Sequence, residues 1–197
     1  MDADEPVSTT PRIKPDLNSI SKLSIVLNDC GLAHKLSMVR RIAFSYFCAG
    51  RLGQIILYAG PPGAGKTSTA MIMPRLLGMG VSLIPVRPGW LDAIDILGYF
   101  DQRNQKFIPG PFTDALMKAE RYARASMPYT IILDEMNIAK IENYGADILS
   151  RLEKAIQGEN DSDIYLYSAD ERLEILQRYS EGNVEHKDVA KRAMKVP

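Results

Sequence analysis

Residues 54–77 read QIILYAGPPGAGKTSTAMIMPRLL. The stretch opens on a short continuous apolar run, Ile55–Ile56–Leu57–Tyr58–Ala59, of the kind that fills a strand covered on both faces of a parallel sheet. Gly60, Pro61, Pro62, Gly63, Ala64, Gly65, Lys66 and Thr67 then fit G-x-x-x-x-G-K-[ST], and Ser68 continues into a helical pattern that tolerates Pro74 near its end. Glycines at these places let backbone N–H groups turn inward around phosphate oxygens, where Cβ atoms would obstruct them. The helix N-terminus aims the positive end of its dipole at the same anion. Lys66 can reach β and γ phosphates as a point charge, and the Thr67 hydroxyl can bind Mg2+. An ordinary glycine-rich turn needs neither all eight positions nor a strand before and a helix after.

Outward from this loop, Leu36, Val39, Ile42, Ala43 and Phe47 recur at helical spacing over residues 33–49, with Gly50 and Gly53 expected to end the helix. Residues 20–27 read equally as a short helix or a strand. Residues 81–86, VSLIPV, give a second strand whose Pro85 marks an edge or an end. A short helix is expected over 91–97. Tyr99–Phe100 and Lys106–Phe107–Ile108 flank DQRNQ as a small hairpin. Thr113 can cap a helix running to residue 125. Residues 129–133, YTIIL, form a third strand ending at Asp134, and a helix over 142–155 carries Ile148, Leu149, Leu152 and Ile156 on one face. Strands alternating with helices imply an α/β fold with a right-handed, mostly parallel sheet.

Composition is consistent with this. The 197 residues suit one domain of ordinary size; 46% are hydrophobic and 24% charged, which excludes a wholly disordered, collagen-like or disulfide-stapled chain. Lys+Arg and Asp+Glu are both 24, so a dominant non-specific grip on nucleic acid or an anionic membrane is not expected. Cys30 and Cys48 make no disulfide framework and read as reduced, buried thiols of a cytoplasmic protein. No run of about 18 apolar residues suggests a membrane span. Residues 1–19 read as a flexible leader unlike a signal peptide, 20–168 as the core, and 169–197 as a charged helical tail.

The second chemical signal is Ile131–Ile132–Leu133–Asp134–Glu135. A carboxylate at the end of a buried strand emerges beside the phosphate loop of a neighbouring strand. Asp134 would hold Mg2+, directly or through water, and Glu135 would orient and deprotonate an attacking water. Alone, such a pair is a solvated strand end; the loop upstream makes it a candidate for hydrolysis. His34 and His186 stand isolated and form no metal-ligand pattern. N-K-x-D, a guanine-reading motif, is absent, which argues against a Ras-like GTPase.

GPPGAGKT, VRPGWLDAIDILGYF, FIPGPFTDAL and ILDEMNIAKIENYGADILSRLEKA together resemble the AAA+ superfamily of P-loop NTPases, in the branch of dynein-related and methylcytosine-restriction motor subunits. The resemblance spans residues 33–168. It implies a three-layer αβα sandwich with a parallel sheet, a Mg2+-dependent site for ATP with GTP as the alternative, and assembly into a homo-oligomeric ring. It implies the catalytic set Lys66, Asp134 and Glu135, with residues 60–68 on the nucleotide and Thr67 and Asp134 on the metal. A nuclease or a remodelling partner is compatible with that branch. Tyr99–Ile108 matches its hairpin insertion, Trp90 precedes that insertion, and Asn137 matches a polar position after the acidic pair. The family continues with a strand carrying a polar sensor, an arginine finger and a helical lid, for which no counterpart is evident; Arg151 does not match the finger position. The expectation is therefore a core that binds Mg-nucleotide and turns over slowly. Two other classes stay open: a non-catalytic interaction module, and a P-loop kinase whose lid would need basic residues such as Arg121 and Arg124.

Overall fold

The computed structural model describes residues 17–52, 54–101, 103, 106–157, 164–165 and 195–196. Of the leader expected over 1–19, residues 17–19 are instead the start of a helix, because the apolar stripe of that helix begins at Leu17; residues 1–16 and nearly all of the tail over 169–197 lie outside the described residues. The chain divides into two compact units, one built from residues 1–83 and 118–134, the other from 84–117 and 135–197.

In the first unit, α1 (Leu17–Asp29) and α2 (Leu36–Leu52) pack against each other and against α3 (Lys66–Leu76). The ambiguous 20–27 stretch is thus helical. Leu23 and Leu27 on α1, Val39, Ala43 and Tyr46 on α2, and Met73 on α3 form the buried core. The spacings i, i+4 and i, i+4, i+7 put each set on one stripe, and each large side chain so buried contributes about 1.5–3 kcal/mol. At the end of α1 the Leu32 N–H donates to the Leu27 carbonyl (2.9 Å) and the Gly31 N–H to the Asn28 carbonyl (2.9 Å). This Schellman closure swings Leu32 back onto the core. Contrary to expectation, α2 runs through Gly50 to Leu52: one glycine costs a helix only about 1 kcal/mol, less than the packing of its apolar stripe supplies.

Pro74 lies inside α3 and cannot donate to the Ala70 carbonyl four residues back. The Tyr46 hydroxyl donates to that carbonyl instead (3.2 Å), and the Tyr58 hydroxyl donates to Tyr46 (3.3 Å). Burial raises both phenols above the ordinary value.

β1 (Gly80–Pro85) and β4 (Tyr129–Asp134) pair as a two-stranded parallel sheet. Tyr122 meets Tyr129 edge-on at 4.9 Å, and Ser82 Oγ lies 2.6 Å from the Tyr129 hydroxyl. Two expectations need correction. Residues 54–59 are not a strand; Ile55 (62% exposed) and Leu57 (71%) face outward, while Ile56 and Tyr58 pack on the core. A ladder needs a neighbour, and no described strand pairs with this segment. For the same reason β4 is half-buried throughout rather than covered on both faces, and among the described residues the parallel sheet is the single pair β1–β4. The cysteines differ too: Cys30 is exposed and Cys48 half-buried, both unbridged.

In the second unit, α4 (Ile94–Leu97) leads into the antiparallel hairpin of β2 (Gly98–Asp101) and β3 (Lys106–Pro109), with Tyr99 opposite Ile108. The hairpin was expected; the helix before it is shorter than the expected 91–97. A Cβ on Gly98 would collide with the Ile108 carbonyl oxygen, and one on Gly110 with that of Ile96. The two glycines therefore allow the hairpin base to close. α5 (Pro111–Arg124) starts on Pro111, which suits a first helical turn where no N–H donor is needed. Thr113 is not its cap. It is buried in the first turn and donates its hydroxyl to the Leu97 carbonyl (2.6 Å). The helix expected over 142–155 is two: α6 (Ile141–Tyr144) and α7 (Ala146–Gln157), parted at buried Gly145. β5 (Ile164–Tyr165) pairs antiparallel with β6 (Lys195–Val196). No described helix is long and apolar enough to cross a membrane.

Candidate nucleotide-binding site

The loop over residues 60–65 joins the exposed 54–59 segment to α3. Gly63 (φ 75°) and Gly65 (φ 72°) sit in the left-handed region, where an L side chain is strained. Gly65 occupies the N-cap position of α3 without a side-chain cap, so the first-turn amides have no side-chain acceptor. This leaves donors of the kind that anions satisfy at helix N-termini. The helix ladder starts with the Thr69 N–H donating to the Gly65 carbonyl (2.8 Å).

Lys66 Nζ curls back over the loop and donates to the carbonyls of Gly60 (3.0 Å) and Pro61 (2.8 Å). Those bonds hold the ammonium at the loop rather than out in solvent. Thr67 Oγ1 donates to Asp134 Oδ1 at 2.9 Å. Residues 67 apart in sequence thereby place a hydroxyl and a carboxylate side by side, at the start of α3 and the end of β4. Both are half-buried, while Ser68 and the loop residues Gly60, Pro61, Pro62, Gly63 and Ala64 are exposed.

Thr67 and Asp134 suit a hard divalent cation such as Mg2+, which takes oxygen ligands, keeps several waters and uses one or two protein groups beside substrate phosphates. No cluster of three or more His, Cys, Asp or Glu residues that could hold a metal by itself occurs among the described residues. A cation at this place would need the phosphates as co-ligands.

Glu135 belongs to the second unit. It is exposed and takes a φ of 52°, one of two described non-glycine residues with positive φ. Its carbonyl accepts from the Ile138 N–H (2.9 Å), closing the turn after β4. Asn137 is exposed in that turn.

His34, isolated in the sequence, has a partner in the fold. Its Nε2 shares a 2.8 Å hydrogen bond with buried Thr69 Oγ1. Leu32, from the same connection, lies so near Gly65 that a Cβ there would come within 2.8 Å of it. Residues 32–34 thus brace the loop from behind, a role no sequence spacing signals. Trp90 is buried and meets Tyr144 edge-on at 5.3 Å, and the Tyr144 hydroxyl donates to the Met136 carbonyl (3.1 Å). The tryptophan anchors its loop. No family model, curated protein or solved structure matches this chain.

Proposed function

We propose that this chain binds a nucleoside triphosphate with Mg2+ through residues 60–68 and Asp134, and belongs to an AAA+ type P-loop module that hydrolyses it. The observation that carries the proposal is the 2.9 Å bond from Thr67 Oγ1 to Asp134 Oδ1, beside a loop whose helix-start amides lack a side-chain cap. Gly63 and Gly65 shape the loop, its amides take the phosphate oxygens, and Lys66 exchanges carbonyl partners for β and γ oxygens. Thr67 and Asp134 supply oxygen ligands for Mg2+, which when bound offsets the charge developing on the phosphates. Glu135, next after Asp134, accepts a proton from the attacking water and orients it. Hydrolysis is expected to be slow, because an arginine finger alone contributes about 10³–10⁵ in rate and no residue here is assigned that part. The active assembly would be a homo-oligomeric ring in the cytoplasm, with a nuclease or remodelling partner. ATP is the first choice of nucleotide and GTP the alternative.

A thermal-shift panel tests the proposal. Mg-ATP or Mg-GTP at about 100 times Kd adds about 2.7 kcal/mol to stability, and Lys66→Ala abolishes the shift. The base giving the larger shift identifies the nucleotide. No shift with any triphosphate refutes the proposal. Binding without turnover, unchanged by Glu135→Gln, leaves a non-catalytic nucleotide-dependent module instead.

A further inference from the structure

We propose that His34 is a positioning residue for the candidate triphosphate loop: by engaging the Thr69 hydroxyl it keeps the Gly65 carbonyl free to start α3, so that the first-turn amides stay aimed at the phosphates. The inference rests on the binding reading above and adds to it a residue outside the loop. The contacts run in one chain. The Leu32 N–H is held by the Leu27 carbonyl (2.9 Å), and the His34 N–H donates to the Leu32 carbonyl (2.8 Å), a tight turn that sets where the imidazole stands. His34 Nε2 shares its 2.8 Å bond with Thr69 Oγ1. The Thr69 N–H in turn donates to the Gly65 carbonyl (2.8 Å), the bond that opens the α3 ladder.

Thr69 is the sensitive point of that chain. A threonine inside a helix readily turns its hydroxyl to the carbonyl four residues back, and such back-bonding bends the helix. Four residues before Thr69 stands Gly65, the left-handed N-cap (φ 72°). Thr69 Oγ1 lies only 4.0 Å from where a Gly65 Cβ would be, so that carbonyl is the local alternative to His34. Thr69 is 2% exposed, and a buried hydroxyl must take a protein partner. Without the imidazole, the hydroxyl competes with the Thr69 N–H for the Gly65 carbonyl. The first turn then tilts away from the geometry in which its amides converge on an anion. Leu32 confines Gly65 from the other side, since a Cβ there would come within 2.8 Å of its Cδ2.

Calorimetric titration of the full chain with Mg-ATP, Mg-GTP and magnesium tripolyphosphate, a ligand with no base, tests this. His34→Leu should weaken every one of these that the wild type binds by about fivefold to tenfold, the range of one neutral hydrogen bond. His34→Asn, too short to reach Oγ1, should do the same with a polar side chain, while His34→Gln, whose amide can stand at the place of Nε2, should restore affinity. In Thr69→Val, which has no hydroxyl to back-bond, His34→Leu should cost nothing. Tyr46→Phe, which unsettles α3 at Ala70 rather than at Gly65, should lower the melting temperature and leave affinity unchanged. Melting curves confirm that each variant is folded. A wild-type chain that binds none of the three ligands refutes the binding reading, and the positioning role with it. Three results overturn the positioning role alone: affinity unchanged in both His34→Leu and His34→Asn, a loss seen with nucleotides but absent with tripolyphosphate, or an equal loss in the Thr69→Val background.

Discussion

At the residue scale, Glu135 carries the sharpest conflict between backbone and side chain. A left-handed φ costs an L residue about 1–2 kcal/mol, and only glycine escapes that cost. Under the proposed function, such strain is borne for the chemistry of the side chain rather than for the turn. Glu135→Gly should therefore be more stable than Glu135→Ala by about 1 kcal/mol, although glycine gives up more entropy on folding. Both variants lose hydrolysis under the proposed function. Denaturant midpoints at constant slope measure the difference; an alanine variant as stable as the glycine one would remove the strain argument. The loop over residues 60–65 and the start of α3 after it were legible in the sequence because the turn conformations of Gly63 and Gly65 are dictated locally. His34 was not, because its partner Thr69 is 35 residues away and a lone histidine has no pattern.

At the scale of elements, α3 depends on a side chain from α2. Tyr46→Phe leaves the buried Ala70 carbonyl without its donor, a loss of about 1–3 kcal/mol. Pro74→Ala restores a backbone N–H at the place where Tyr46 now donates. In that background Tyr46→Phe should cost distinctly less, so a double-mutant cycle is non-additive. Equal costs in both backgrounds would show that the hydroxyl does not substitute for the helix bond. The same network sets a pH dependence. Burial raises the folded phenols of Tyr46 and Tyr58 above their ordinary 10.0, so above that pH the unfolded chain releases protons that the folded chain keeps. Stability is thus full below pH 10.0 and falls above it, and Tyr58→Phe should flatten the fall. Helices were legible here from stripes, since a helix satisfies its own backbone. The strand read at residues 54–59 was not, because strand formation depends on a partner that local sequence does not specify. Gly145 and Pro111 show the reverse error: glycine's break was written locally but apolar spacing overrode it, and proline's start was written locally but the capping signal of Thr113 overrode it.

For the whole molecule, the border between the two compact units cuts β1 and α5 and falls a third time between Asp134 and Glu135, at the end of β4. Neither unit can lose its half of that strand or helix without disturbing hydrogen bonds in the other half, because helix and ladder bonds form cooperatively. The two units should accordingly unfold together. The chain allows a direct measurement, since Trp90 is the single tryptophan and is buried in the second unit, while the loop over residues 60–65 lies in the first. Urea transitions followed by Trp90 emission and by far-ultraviolet circular dichroism should coincide. Under the proposed function, Mg-nucleotide at the loop should move both midpoints equally, because a ligand of the folded state stabilises the whole cooperative unit. A Trp90 transition that stays in place while the dichroism midpoint rises would show that the units melt separately and that β1 and α5 do not couple them.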